Sequence, residues 1–377
     1  MTYGGDTVKK ICLCMIVKNE AAIIERCLDS AKPVLDYAFI IDTGSTDGTQ
    51  QLISGWLKNN GIEGQVFEEP FQNFGYNRTS AVNHASAAYP DADYLLILDA
   101  DEVLEVQPGF SKGELKADSY MTLQYNRSLK YWYHRLLGTA KKWECVGVTH
   151  EYWHAKGAHS TGKLSTLTVK DFGDGGSKGD KFIRDEKLLL EALKDQNLDA
   201  HLKARYLFYL ANTYHDTSKF EKAILWYQQR IAAGGWPEEV YYSYYRIGEC
   251  YRAMFEHGAP AEKAHNFAKA ACAYLDAWNY HPSRAEPLYE LSRLYRQEKK
   301  YHLATLYASL GSEIPYPVND VLFISYPVYD YLLDYELSIS SYYVDKEKAR
   351  KKQKELEKRT DLPIHIKETI KRNARYY

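Results

Sequence analysis

The sequence predicts an α/β domain with a mostly parallel sheet, followed by an all-α stack of helix pairs. Three observations carry this expectation. Short apolar runs alternate with amphipathic segments over roughly the first 175 residues. From about residue 185 the apolar period becomes helical. The runs of the first half end in polar clusters, at Lys18-Asn19-Glu20, Asp42 to Thr49 and Asp99 to Glu102. The expected division is 1–185 for the α/β domain, 186–315 for the helical repeats and 316–377 for a C-terminal helical cap.

The elements follow in order. Ile11 to Val17 is a continuous apolar run suited to a strand buried on both faces. Glu20 to Ala31 reads as a helix with Ile23, Ile24, Cys27 and Leu28 on one face. Tyr37 to Ile41 is a second buried strand, and its polar turn leads into a helix from Gln50 to Asn59. Val66-Phe67 is a short strand, Tyr76 to Ala88 a helix, and Tyr94 to Leu98 a strand entering the acidic cluster. Alternation of this kind gives a sheet covered on both faces. Ligands of such sheets bind outside the carboxyl ends of the strands. Asn19, Asp42 and Asp99 stand at those ends and are expected to share one crevice.

The second half reads as three helix pairs: Lys203–Asp216 with Lys219–Ala233, Glu238–Glu256 with Ala261–Asn279, and Glu286–Glu298 with Tyr301–Glu313. Small residues (Ala211, Ala223, Gly248, Ala304, Ala308) recur beside tyrosines, and Pro237, Pro282 and Pro315 punctuate the pairs. Small residues where two helices touch indicate a tetratricopeptide-like stack. An irregular helical bundle is the alternative.

Composition narrows the function classes. The 377 residues carry 48 basic and 50 acidic side chains, so no field of one sign is available to draw nucleic acid or anionic lipid. Lys9-Lys10 precede an apolar run of only seven residues, too short for a signal peptide. No window approaches the ~20 apolar residues of a membrane span. The six cysteines are scattered and read as reduced core thiols, which points to a cytoplasmic protein. Most of the 34 tyrosines lie beyond residue 120 and suit half-buried helix faces and grooves.

The crevice is lined by acids and lacks Gly-x-Gly-x-x-Gly or Gly-x-x-x-x-Gly-Lys, which argues against dinucleotide or P-loop phosphate binding. Two nearby carboxylates instead handle a diphosphate by holding a divalent cation between them and its oxygens. Asp99-x-Asp101 places two on one side of an extended segment. A strand end with acids pointing at water is the plain alternative.

Met15-Ile16-Val17-Lys18-Asn19-Glu20, Asp42-Thr43-Gly44-Ser45-Thr46-Asp47-Gly48-Thr49 and Asp99-Ala100-Asp101-Glu102 together resemble family 2 glycosyltransferases of the GT-A fold. The resemblance covers about residues 9–185. With helical repeats behind it, the chain is similar to a subgroup that includes the sublancin-type peptide S-glycosyltransferase and bacterial core-glycan transferases.

The resemblance implies a metal-dependent inverting hexosyltransferase using a UDP-sugar, with Mn2+ or Mg2+ as cofactor. Asp42 would bond the base or ribose, with Ile16, Val17, Lys18, Asn19 and Glu20 lining the same pocket and Asp47 supporting the turn. Arg78 would face the diphosphate. Asp99 and Ala100 would border ribose or sugar, Asp101 would be the principal metal ligand, and Glu102 a supporting acid. Gly147-Val148-Thr149-His150-Glu151 is similar to the subgroup's Gly-x-Val-His-Glu pattern, with Thr as a departure. It makes Glu151 the candidate general base and His150 a metal ligand or an orienter of the base. Gly173 to Asp185, with Gly175-Gly176-Ser177, Lys181 and Arg184, reads as a mobile loop closing over the diphosphate. An ordinary linker is its alternative. A sheet histidine and a surface acid are the alternatives for His150 and Glu151. Trp132, Trp143 and Trp153 are equally suited to stacking on a sugar and to core packing.

The expected partners are a nucleotide-sugar donor and a glycan or peptide acceptor, with no nucleic acid. The tyrosine-rich repeats offer an acceptor groove or a homodimer interface. A second reading is a catalytically silent domain presenting a peptide-binding scaffold, against which the intact Asp42, Asp99, Asp101 and Glu151 speak. A nucleotidyltransferase would want a glycine- and lysine-rich loop after the first strand, and Lys18-Asn19-Glu20 is not one.

Overall fold

The computed structural model describes residues 8–126, 129–176 and 180–377. The chain divides into two compact units, Met1–Ala192 and Leu193–Tyr377.

The first unit contains β1 (Ile11–Val17), α1 (Ile24–Ala31), β2 (Tyr37–Asp42), α2 (Thr49–Asn60), β3 (Glu63–Glu68), α3 (Phe74–Ala88) and β4 (Tyr94–Ile97). It continues through β5 (Glu102–Val106), β6 (Ser119–Asn126), β7 (Leu129–Gly138), β8 (Trp143–Val146), β9 (Tyr152–Ala155), β10 (Thr161–Asp171) and α4 (Lys181–Ala192). Eight strands form one sheet in the order β3-β2-β1-β4-β7-β6-β10-β5, and β8 and β9 pair separately. β3, β2, β1 and β4 run parallel, as do β6 and β10; β5 and β7 are antiparallel to their neighbours. The expected α/β architecture with a mostly parallel sheet is the one found.

Alternation along β1 explains its unbroken apolar sequence. Ile11, Leu13, Met15 and Val17 enter one core with Leu28 of α1 and Ile53 and Leu57 of α2. Cys12 and Cys14 enter the opposite core with Ala81, Val82 and Ala85 of α3. Trp143 and Trp153 are also buried in that second core, so packing is the role of both. Asn73 caps α3 by accepting the Tyr76 N–H at 2.8 Å.

Two local expectations are corrected. α1 begins at Ile24 rather than Glu20, because the Glu20 carbonyl takes the N–H groups of Ile23 and Ile24 in a turn. The acidic cluster is not extended. The Glu102 N–H reaches the Asp99 carbonyl at 3.1 Å and reverses the chain into β5, an edge strand the sequence did not announce.

The second unit contains α5 (Ala200–Asp216), α6 (Phe220–Ala233), α7 (Pro237–His257), α8 (Lys263–Tyr280), α9 (Glu286–Gln297) and α10 (Tyr301–Ser312). α11 (Leu333–Ser340), α12 (Lys346–Glu357) and α13 (Ile364–Asn373) follow. The three expected pairs are present, and Ala211, Ala223, Ala304 and Ala308 are fully buried. At Gly248 a β-carbon would stand 2.6 Å from the Tyr274 ring, so α7 and α8 meet at a glycine for lack of room.

The six cysteines are unpaired, and five are buried. Cys272 departs from the core expectation: it is exposed on α8. Among the described residues no helix is long and apolar enough to cross a membrane.

Candidate active site

The loops after β1 and β2 are sewn together. Thr43 donates its N–H and hydroxyl to the Val17 carbonyl at 2.9 and 3.0 Å. Asn19, held at φ 56°, donates its N–H to Ser45 Oγ and accepts the Thr46 N–H, both at 2.8 Å. Asp47 takes the N–H of Ala21 at 3.0 Å and that of Thr49 at 3.1 Å. The left-handed φ of 56° at Asn19 is one that Asn tolerates better than most residues.

Asp42 ends β2 at the floor of this turn and is fully buried. Its Oδ1 accepts the N–H groups of Gly44 and Ser45 at 2.9 and 2.7 Å. Its Oδ2 is equally buried, and among the described residues no donor reaches it. A buried acceptor without a partner costs about 1–3 kcal/mol, and a ligand that brings a donor there offsets part of that cost.

The acidic turn after β4 is braced from beneath. Glu102 accepts the Asp99 N–H at 2.8 Å and the Gln124 amide at 3.0 Å, and it pairs with buried Arg135. Arg135 also donates to the Ile97 carbonyl at 3.2 Å. Burial raises the Glu102 carboxyl against the pull of Arg135. Glu102 therefore supports the turn, while Ala100 is buried within it.

Arg78 of α3 joins the turn to the β8–β9 connection. Its Nε donates to Glu151 Oε1 and its terminal nitrogen to Asp99 Oδ1, both at 2.7 Å. The side chains of Arg78, Asp99 and Glu151 are 13%, 37% and 10% exposed. Burial disfavours the Arg78 cation, but Asp99 and Glu151 outweigh it and hold the guanidinium far above its ordinary value. Arg78 thus clamps two carboxylates at once. Its orientation is fixed because α3 begins against the Glu151 loop: the N–H groups of Phe74 and Gly75 bond the carbonyls of Val148 and Gly147.

The segment after β10 covers the remaining acids. The Gly176 N–H donates to Glu20 Oε2 at 2.9 Å. A β-carbon at Gly175 would stand 3.4 Å from both Asp101 Oδ2 and Glu20 Oε1, and one at Gly176 only 1.9 Å from the Asn19 carbonyl oxygen. Burial raises the Glu20 carboxyl, the Gly176 N–H opposes this, and Asp101 and Asp99 push the same way as burial. Asp174 is held by Arg26 through two bonds at 2.7 and 2.8 Å, and Arg26 lies over the Phe172 ring.

The expected loop is corrected from Lys181 onward. Lys181 and Arg184 stand in the first turn of α4, and Ser177 lies outside the described residues. Arg184 packs over the Phe74 ring, while Lys181 is exposed. Asp185 is buried, accepts the Thr149 hydroxyl at 3.3 Å and lies 4.0 Å from His150 Nε2. Burial raises its carboxyl despite Arg184 and Lys181. His150 itself stands at φ 51°. Of the other expected residues, Ile16 is half-buried, Val17 buried and Lys18 exposed at the end of β1.

Among the described residues no group of three or more His, Cys, Asp or Glu is arranged to hold a metal. Asp101 and Glu20 do face one covering glycine, and their oxygens are donors a hard cation prefers. Sequence reasoning missed Glu20 as the anchor of Gly176 and Asp185 as the anchor of the His150 loop. Both meanings are long-range, and no local pattern signals them.

Residues 12–108 match the family described as glycosyl transferase family 2. A TPR repeat-containing protein of Synechococcus elongatus is 31% identical over 102 residues, covering 27% of this chain and 23% of that protein. The chain thus spans under a quarter of the length of that curated relative. Among solved structures, S. aureus TarS residues 1–349 in complex with UDP is similar over 71% of this chain and 89% of that one, at 13% identity and a TM-score of 0.30. A TPR protein of Thermus thermophilus is similar over 52% of this chain and 91% of that one, at 13% identity and a TM-score of 0.36.

Proposed function

From the family 2 glycosyltransferase domain that the chain carries, we propose an inverting transfer of a sugar from a UDP-sugar to a glycan or peptide acceptor. The observation that carries this reading is the buried, unpartnered Oδ2 of Asp42 in a turn joined to the β1 loop. A pyrimidine N–H or a ribose hydroxyl would supply the donor that this oxygen lacks. The same strand ends hold Asp99 and Asp101, and Arg78 links Asp99 to Glu151.

Chemistry follows from that arrangement. Glu151 would take the proton of the acceptor hydroxyl as its oxygen attacks C1, and the C1–O bond to the diphosphate breaks with the electron pair leaving on phosphate oxygen. Arg78 fixes the direction in which Glu151 points, which matters because a base must sit within hydrogen-bond reach of its proton. Gly175 and Gly176, lying over Glu20 and Asp101, would exclude water from that end of the pocket.

Asp101, with Glu20 beside it, would hold Mn2+ or Mg2+. The cation would neutralise charge on the diphosphate. His150, 4.0 Å from Asp185, is the second candidate for this role. UDP release from UDP-glucose and related donors, followed with and without acceptor, tests the proposal. Glu151→Gln is expected to bind UDP as the parent does and to lose transfer by about 10²-fold or more. Equal transfer in that variant removes Glu151 as the base. Asp101→Ala, or added chelator, is expected to weaken UDP binding in a thermal-shift titration. Unchanged binding in both sinks the metal.

A further inference from the structure

The helical unit holds a pocket of about 170 Å³ that the reading above does not use. Tyr241, Tyr242, Tyr245, Arg246 and Glu249 of α7 line one side of it. Arg284 and Glu286, at the start of α9, line the base, and Phe323 and Ser325 close it from the segment between α10 and α11.

That segment is strapped in place. Glu238 accepts the N–H groups of Val321 and Leu322 at 2.8 and 2.6 Å. Glu286 accepts the Ser325 N–H at 3.0 Å, and Arg284 donates to the carbonyls of Leu322 and Phe323 at 3.2 and 3.3 Å. Arg284 and Glu286 are only 1% and 3% exposed, so a buried ion pair carries the strap. Phe323 is held at φ 46°, a conformation that costs an aromatic residue free energy and persists only where surroundings enforce it. Its ring stands 4.8 Å from that of Tyr242. Both rings are therefore positioned before any ligand arrives.

Size and charge narrow the ligand. The volume is below the ~300–1,000 Å³ of pockets that enclose a drug-sized molecule, so it takes one ring and not a nucleotide. Arg246 and Arg284 face Glu249 and Glu286, and two more acids join them: Arg246 donates to Glu249 at 3.0 Å and Asp216 at 2.8 Å, and Arg284 lies 3.6 Å from Asp320. An anion finds no free guanidinium there, and a cation would meet acids already held by Arg246 and Arg284. An apolar ring would strip water from the paired charges and return no hydrogen bonds. A ring rich in hydroxyls meets both demands: Arg284 and Glu286 are taken up by the strap, so it bonds Glu249 and the tyrosine hydroxyls and lays its C–H face on tyrosine and phenylalanine.

We propose that this pocket binds an uncharged sugar ring, one unit of an acceptor glycan. The acceptor role rests on the glycosyltransferase reading; the sugar site itself rests on the pocket. The test is calorimetric titration of the full chain with glucose, galactose, N-acetylglucosamine and their disaccharides, and separately with UDP. At least one sugar is expected to saturate. Tyr242→Ala and the isosteric Glu249→Gln are each expected to weaken it about tenfold, while Tyr242→Phe, which keeps the ring, weakens it less. Circular dichroism and the urea midpoint identify any variant that fails to fold, and Glu249→Gln, which changes no shape, then decides. If no sugar binds, or if N-acetyl-tryptophanamide binds there in place of the sugars, the pocket assignment is overturned, whatever UDP does. Sugar binding without UDP binding leaves the sugar site standing and overturns its acceptor role together with the donor reading.

Discussion

At the scale of single residues, Arg78 has the most to lose. It is a buried cation whose charge is balanced by Asp99 and Glu151 at 2.7 Å each. Arg78→Met keeps the length of the side chain and removes the cation, leaving Glu151 in a site where water is scarce. Breaking a buried pair costs about 3–5 kcal/mol, and the partial exposure of Asp99 puts this one at the low end. A lowered urea midpoint together with a transfer rate reduced at least as far as in Glu151→Gln is expected. Full stability in Arg78→Met would show that the clamp is not what holds Glu151. Asp42, Asp99 and Asp101 were legible in the sequence because an acid directly after an apolar strand has few structural reasons to be there. The partner of Glu20 was not legible: Gly176 stands 156 positions away, and only the return of β10 along the sheet brings it close.

At the scale of elements, the junction of α3 with the Glu151 loop decides whether Arg78 and its partners meet. Gly75 is the contact point. On helix propensity alone, Gly75→Ala should stabilise by roughly 0.5–1 kcal/mol. A β-carbon there would stand 2.3 Å from the Gly147 carbonyl oxygen, and backbone does not yield as a flexible side chain does. A loss of about 1–3 kcal/mol is therefore expected, with reduced transfer, and a rise in the urea midpoint would overturn the reading of this contact. Strand β1 was read to its exact ends because burial on both faces leaves an unbroken apolar run. Strand β5 was not read, because its start is the acidic turn itself and Arg135, which pairs with Glu102 inside the sheet, stands 33 positions on. The same holds for α4, whose first turn carries Lys181 and Arg184 in a stretch that its glycines made look like loop.

At the scale of the molecule, the change of apolar period along the chain reported two kinds of packing, a sheet with cores on both faces and a stack of helix pairs. What it left open was where the tyrosines point, since a tyrosine serves a core, a groove and an interface alike. Burial now separates them: Tyr227 and Tyr274 are core, whereas Tyr316 and Tyr326 are exposed beside the strap. The cysteines were treated above as packing, yet their distribution makes them a built-in counter. Cys12, Cys14, Cys27 and Cys145 belong to the first unit and Cys250 and Cys272 to the second. Burial pushes the thiols of Cys14 and Cys250 up to about 12 and raises those of Cys12, Cys27 and Cys145 as well, so a thiol reagent at neutral pH finds Cys272 first. One fast-labelling thiol is expected in the native protein by mass spectrometry, and two would contradict the burial described. As denaturant rises, a step from one label to two reports opening of the helical unit, and a step from one to five reports opening of the sheet unit. The chain therefore records, in whole numbers of adducts, the order in which its two halves come apart.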